Sequence, residues 1–316
     1  MLELSISIVA TDERESLIKC LDSLFNNAPA SMDFDVHVVD NMNNISDHVK
    51  EKHPEVKLIK NKRRMGFAEN HNNVIRQSSG NNVLIMNPDV FIKKGFFAEL
   101  LRVMEADSSA GIVTPKLLMP DGRTFDSTGH IIYKSRRTVD RGQGKEDRGL
   151  YDKTEEVFSA CGAAMLCRRE MLEDVKLMGE YFDESFQLYK EDLDLSWRAR
   201  LRGWKVMYAP DATAIHLRGW SPDKPRNKVP LWIRRESFKN RYLTMIKNDH
   251  LINVLRDLPF ILWHGIKALV YVIFREPHLF LALPQIVMQL PKTLRKRAEI
   301  MKRATVGAEQ IRKWFV

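Results

Sequence analysis

A chain of 316 residues, 44% hydrophobic and 29% charged, has the composition of an ordinary folded protein, with room for one large domain plus an appendage or for two small domains. Its three cysteines, Cys20, Cys161 and Cys167, exclude a framework of paired disulfides and fit a reducing compartment. The net charge of +9 is lopsided: residues 1–216 carry 30 basic and 34 acidic side chains and residues 217–316 carry 20 and 7, so the whole basic excess is C-terminal.

The first ten residues hold no basic leader and no long apolar run, so no secretory signal is predicted and a cytoplasmic chain is the expectation. Leu4–Ala10, rich in Ile and Val, predicts a buried strand, and Glu13–Asn27 repeats its apolar residues at helical spacing. Asp35–Asp40 predicts a second strand that ends in a carboxylate, Val56–Lys60 a third, and Ala68–Gln77 a helix. Asn82–Met86 predicts a fourth strand with Asn87-Pro88-Asp89 just past its end, followed by a helix at Phe96–Ala106 and a strand at Gly111–Leu118. Alternating strands and helices predict an α/β fold, a mostly parallel sheet with helices on both faces, and ligands in such sheets bind beyond the carboxyl ends of the strands.

Residues 134–156 are dominated by Lys, Arg, Gly, Asp and Glu and read as a mobile loop. Val157–Arg168 is strand-like around a break at Cys161-Gly162, Asp192–Leu201 predicts a helix stopped by Gly203, and Lys205–Ala209 and Ala214–Leu217 predict two extended pieces. From Pro230 onward the chain is helical and basic. Leu258–Phe274 is strongly apolar but contains His264 and Lys267, and Pro277, Pro284 and Pro291 follow. A spanning helix needs about 20 uninterrupted apolar residues, so amphipathic helices in a membrane interface are favoured over a span, with a re-entrant hairpin as the other reading. Apolar residues between the charges argue against nucleic acid as the partner of this basic region.

Four positions are candidates for chemistry, each with a plainer reading beside it. Asp40 suits hydrogen bonds to a base or ribose, or a simple turn. Asp89, presented after a buried strand, suits a divalent cation on a diphosphate, or a Pro-Asp turn. Glu191, Asp192 and Asp194 open a helix and complement its dipole; because Leu193, Leu195 and Trp197 interleave with them, not every acid faces solvent, and one is free to act as a general base. His216 suits a metal or phosphate, or a packed core position. Gly66-Phe67-Ala68 lacks the spaced glycines of a dinucleotide site and any Gly-Lys-Ser/Thr, which excludes both of those nucleotide folds.

In order and spacing, these segments resemble the family 2 glycosyltransferases of the GT-A fold, especially their rhamnosyltransferase-like branch. The carrying segments are Ser7-Ile8-Val9, Val38-Val39-Asp40-Asn41, Gly66-Phe67-Ala68 with Asn72, Leu84 to Asp89, Cys161-Gly162-Ala163-Ala164, Phe182-Asp183-Glu184, Glu191 to Leu195 with Arg198, Gly203-Trp204 and His216. The likeness runs from Leu4 to about Trp220, which implies a catalytic domain over residues 1–220 and a basic helical, membrane-associated region over 221–316. It further implies that Asp40, Asn41, Gly66, Asn72, Gly162 and Ala163 line the substrate site. Asp89, in the place of the Asp-x-Asp motif, and His216 would hold Mg²⁺ or Mn²⁺. Asp192 would be the base and Glu191 its neighbour in the acceptor site.

The expected reaction is an inverting transfer from a nucleotide-sugar donor to a glycan or lipid-linked acceptor at the inner face of the cell membrane, in cell-surface polysaccharide synthesis, with dTDP-rhamnose as the donor the branch suggests. The alternative is a non-catalytic GT-A scaffold that binds nucleotide sugar at the membrane. Several positions depart from the family pattern: Asp12-Glu13 replaces Tyr-Asn, Asn41-Met42-Asn43-Asn44 replaces a Ser/Asp turn, Arg64 stands where Asn is usual, and Asn87 leaves Asp89 the only carboxylate of its motif.

Overall fold

The computed structural model describes residues 2–218 and 229–316; the expected domain boundary at 220/221, and Trp220, lie outside the described residues. In chain order the elements are β1 (Leu4–Ala10), α1 (Arg14–Asn27), β2 (Phe34–Asp40), α2 (Ser46–Lys52), β3 (Lys57–Lys60), α3 (Phe67–Gln77), β4 (Asn82–Met86), β5 (Val90–Ile92), α4 (Phe96–Glu105) and β6 (Ala110–Leu118). Next come β7 (Phe125–Ser127), β8 (His130–Ile132), β9 (Thr138–Asp140), β10 (Glu155–Glu156), β11 (Ala164–Arg168), α5 (Arg169–Val175), α6 (Glu191–Leu201) and β12 (Lys205–His216). The C-terminal helices are α7 (Leu231–Asn248), α8 (Leu251–Arg256), α9 (Leu258–Arg275), α10 (Ala282–Arg303) and α11 (Ala308–Arg312).

The main sheet runs β10-β12-β6-β11-β4-β1-β2-β3, with β5 beside β12 and β7 beside β6. β3, β2, β1 and β4 are mutually parallel, as are β6 and β12, and β11 runs antiparallel between β4 and β6. Period-2 alternation sorts the strand residues between two cores. Leu84 and Met86 pack with α1 and α4 on one face, Val83 and Ile85 with α3, α5 and α6 on the other. The expected parallel α/β sheet with flanking helices is therefore present. The register Ala10↔Asp40 and Ile8↔Met86 sets the carboxyl ends of β1, β2 and β4 along one rim.

Three expectations change. The two extended pieces at 205–209 and 214–217 are one strand, β12, interrupted where pairing to β6 jumps from Ala209 to Thr213. Of Val157–Arg168, only Ala164–Arg168 is strand. The stretch 134–156 carries β9 and β10 instead of a structureless loop. Its anchors are polar and aromatic: Lys116 pairs with Asp147 and Asp152, and Arg141 lies over the rings of Tyr151 and Tyr208. Hydrophobic periodicity does not register such anchors.

The C-terminal helices share a core with the sheet domain. Ile300, Ile311 and Phe315 pack on Leu193, Trp197 and Leu201 of α6. Buried ion pairs reinforce the junction: Lys247 reaches Asp183 and, at 2.8 Å, Asp194, while Lys296 holds Asp183 at 2.6 Å and Glu180 at 2.7 Å. α9 is inverted relative to a helix of a water-soluble protein. Its inward stripe is Asp257, Ile261, His264, Gly265, Ala268 and Val272, whereas Leu262, Trp263, Ile266, Leu269, Val270 and Phe274 face outward and are exposed. By length and composition alone α9 is long and apolar enough to cross a membrane.

Candidate active site

The site grows from two loops at the carboxyl rim of the sheet. The first follows β4. Asn87 donates its backbone N–H to Ala163 O at 2.9 Å, and β5 then pairs antiparallel with β12 so that Val90 faces His216. That register sets Asp89 across from His216, with Oδ1 3.4 Å from Nε2. The other imidazole nitrogen, Nδ1, lies 2.7 Å from Asp126 Oδ2, and Asp126 is buried. Burial alone would lower the His216 pKa; the two carboxylates outweigh it and push it up to about 9. The ring is therefore cationic at neutral pH, and a metal ion entering between Asp89 and His216 displaces a proton. An imidazole backed by a carboxylate and aimed at a second carboxylate is the donor set of a divalent-cation site with its supporting shell, so these residues fit the expected ion.

The second loop leads into α6. Tyr189 and Lys190 both take left-handed backbone conformations (φ 69° and 76°), which turn the chain sharply before Glu191. The three acids of the helix start then part company. Asp194 is buried and paired with Arg198 (3.0 Å) and Lys247, with Asn248 donating at 2.7 Å. Glu191 is buried; loss of solvent, and then the adjacent Asp192, push its pKa well above the usual carboxylate range. Asp192 alone keeps an accessible face, its side chain 18% exposed. Its Oδ1 accepts from Leu193 N–H at 2.6 Å and its Oδ2 from Gly162 N–H at 2.9 Å. A Cβ at Gly162 would lie 3.2 Å from the Asp192 side chain, so glycine there permits this close seat.

A chain of charges joins the two loops. Arg218 lies 2.8 Å from Asp126 and 3.1 Å from Asp140; His130 Nε2 is 3.4 Å from Asp140 and 4.0 Å from Asp192 Oδ2. Asp89, His216, Asp126, Arg218, Asp140, His130 and Asp192 thus form one continuous line across the rim. Burial works to raise the Asp140 pKa, but His130 and Arg218 hold it far below the ordinary range. The sequence reading missed Asp126, His130, Asp140 and Arg218. They sit in short segments with no apolar period, and their only signal is acids and a histidine clustered on both sides of Gly129.

The remaining expected residues build walls. Asp40 is fully buried and accepts from the backbone N–H groups of Asn44, Ile45 and Ser46 and from Ser46 Oγ at 2.6 Å. Burial would raise its pKa, yet these bonds, Ser46 foremost, lower it. Asn41 bridges both polar atoms of Met65 and receives Asn61, so the β2 loop is tied to the approach to α3. Gly66 lets that approach touch the loop before α6: a Cβ there would come within 2.9 Å of Gln187 Cα, and Phe67 N–H donates to Gln187 O at 2.8 Å. Asn72 is buried and spends its amide on Phe182 and Glu184. Asp89 therefore meets His216, and Asp192 meets Gly162, the two pairs joined through Asp126, Arg218, Asp140 and His130, whereas Asp40, Asn41, Gly66 and Asn72 tie neighbouring loops together.

Known proteins with these features are informative. The glycosyltransferase-like family 2 model matches residues 3–235. A low-salt glycan biosynthesis hexosyltransferase of Haloferax volcanii is 23% identical over 198 residues, 60% of each chain. An N-acetylglucosaminyl-diphospho-decaprenol L-rhamnosyltransferase of Mycobacterium tuberculosis is 25% identical over 194 residues, 54% of this chain and 62% of that one. The matches thus span about 60% of the length of these curated relatives. Among solved structures, a mannosyltransferase of Pyrobaculum calidifontis in complex with GDP-Man and Mn²⁺ superposes with a TM-score of 0.55 at 16% identity, covering 95% of this chain and 78% of the other. A family match over well more than half of the sequence, on a sheet of the GT-A kind, makes this chain a member of the family 2 glycosyltransferases.

Proposed function

We propose that the protein transfers a sugar from a nucleoside-diphosphate donor to the hydroxyl of a glycan or lipid-linked acceptor, with inversion at the anomeric carbon. The observation that carries this reading is the unbroken line of charged groups from Asp89 to Asp192. It sets a site suited to a metal and diphosphate at one end and an exposed carboxylate at the other. Asp89 and His216 would hold Mg²⁺ or Mn²⁺, with Asp126 fixing the imidazole. Bound there, the ion neutralises charge on the departing diphosphate. Asp192, seated on Gly162 N–H, takes the proton of the acceptor hydroxyl. The acceptor oxygen forms its bond to the anomeric carbon as the nucleoside diphosphate leaves from the opposite face. Glu191, buried beside Asp192, forms a wall of the acceptor side. Asp40, Asn41, Gly66 and Asn72 position the loops that enclose the base and ribose.

The relative named as an L-rhamnosyltransferase acting on a decaprenol-linked sugar supports rhamnose as the sugar and a lipid-linked acceptor; dTDP-rhamnose as the donor and cell-surface polysaccharide synthesis as the setting complete the proposed reading. The outward apolar face of α9 supports peripheral attachment to the cytoplasmic side of the membrane. Replacing the base tests the reaction. Asp192→Asn should lower transfer by roughly 10²–10⁴-fold while leaving donor affinity, measured by calorimetry with a panel of nucleotide sugars and Mn²⁺, essentially unchanged. Turnover at the wild-type rate would remove Asp192 from the mechanism. Donor binding by the wild type with no transfer to any acceptor would favour a scaffold instead.

A further inference from the structure

A groove of about 410 Å³ opens between the tip of the β8–β9 hairpin and the N-terminal half of α9, a volume in the range of small-molecule sites. The hairpin contributes Lys134 and Arg137 to its lining, and α9 contributes Lys267 with Phe260 and Trp263, which are 52% and 61% exposed. Arg241 stands behind, in contact with Ser135 O and His264 Nδ1. Among the described residues none of these four cations pairs with a carboxylate. Lys134 lies over the Phe260 ring and Lys267 over the Trp263 ring instead. The groove cations are exposed or half-buried, whereas fully buried cations of the same region are neutralised: Arg136 by Asp249 and Asp257, Lys247 by Asp183 and Asp194, and Lys296 by Asp183 and Glu180. The unneutralised field is felt inside the groove, where burial, and then Arg241, Arg137 and Lys267, lower the pKa of His264.

Two further features say what the groove is for. Its position is fixed relative to the chemistry, because Lys134 and Arg137 are at the tip of the hairpin whose base is His130 and Asp140. Arg136, buried between Asp249 and Asp257, pins that tip to the C-terminal helices. Lys134 lies in the turn just past β8, four positions along the chain from His130, so one short hairpin joins the groove to the rim. The second feature is the apolar outer face of α9, which begins at the mouth of the groove and fits a lipid surface.

We propose that this groove binds the phosphate groups of a long-chain lipid diphosphate acceptor, with Lys134, Arg137 and Lys267 on the phosphoryl oxygens and Phe260 and Trp263 guiding the apolar chain into the bilayer. The proposal rests on the reading of the protein as a glycosyltransferase at a membrane surface, and it adds the part of the acceptor recognised and the residues that recognise it. Charge complementarity selects phosphate, and concavity selects one bound headgroup over the average bilayer charge.

The full chain can be sedimented with three vesicle preparations: phosphatidylcholine alone, phosphatidylcholine carrying a polyprenyl diphosphate, and phosphatidylcholine carrying phosphatidylglycerol at matched surface charge. The wild type should bind the diphosphate vesicles about tenfold or more tightly than the matched phosphatidylglycerol vesicles. Lys134→Gln, Arg137→Gln and Lys267→Gln together should erase that preference. The charge-keeping set Lys134→Arg, Arg137→Lys and Lys267→Arg should retain most of it, and so should Lys50→Gln, Lys52→Gln and Lys94→Gln, which remove three exposed charges elsewhere. Equal wild-type binding to both charged preparations overturns the inference and leaves the membrane reading intact, as does a preference that survives the neutral set. Binding to no vesicle overturns both.

Discussion

Asp40, Asp89, Glu191, Asp192 and Asp194 carry the same functional group, and their surroundings give them different work. Asp40 and Asp194 have their oxygens occupied by protein donors, Glu191 is buried with its pKa pushed up by loss of solvent and by Asp192, and Asp89 and Asp192 stay partly exposed. Chain position alone could name the acids; only their hydrogen-bond partners divide them into structural and reactive. Asp126 is the residue whose importance depends most on the fold, since it lies 90 positions from the His216 it orients. Asp126→Asn should weaken Mn²⁺ binding by about 10–100-fold, read by calorimetry on the protein alone, with the melting temperature reporting any general damage. An unchanged affinity would mean that His216 does not hold the ion.

At the scale of elements, the long periodic ones were legible. β1, β2, β4, α1, α3, α4 and α6 appear within a residue or two of their expected bounds, because a buried face imposes its period on the sequence. α2, α5 and the strands β5, β7, β8 and β9 were not, since none is long enough to display a period. Yet β5 and the β8–β9 hairpin deliver much of the site. The junction of α6 with α7 and α10 is another such case. Asp183, buried, meets Lys247 and Lys296. Burial would raise its pKa, but the two ammonium groups hold it well below the usual carboxylate value. The stability it contributes is therefore complete above the unfolded carboxylate pKa of about 4 and is lost as the pH falls through the lower folded value. Asp183→Asn should cost about 3–5 kcal/mol at neutral pH, by leaving two buried cations short of a partner. Thermal melts from pH 7 down to pH 3 should show the wild type approaching the variant in acid. Parallel curves at all pH values would mean that the ion pairs add nothing.

For the whole molecule, the charge imbalance between the two parts of the sequence acquires a structural meaning. Part of the basic excess of residues 217–316 is spent on acids of residues 1–216, as Lys247, Lys296 and Arg303 show, and the C-terminal helices add Ile300, Ile311 and Phe315 to the core around α6. Removing residues 251–316 would therefore strip α6 of its packing, so membrane attachment is better tested on the surface of α9. Leu262→Ser, Ile266→Ser and Val270→Ser alter only exposed side chains. Together they should reduce vesicle binding about tenfold or more with little change in melting temperature; undiminished sedimentation would locate the contact elsewhere.

The sequence by itself determined the sheet, its flanking helices and the strand-end acids. Burial on one face repeats at a period a linear reading can detect, and the residues that follow a strand emerge at its rim whatever the rest of the chain does. Tertiary structure alone decided which acids are buried in ion pairs and which stay partly exposed, that Asp126 stands behind His216, and where unneutralised cations meet the exposed face of α9. Those outcomes depend on contacts between residues tens of positions apart, and the desolvation and ion pairing that such contacts impose leave no periodic trace along the chain.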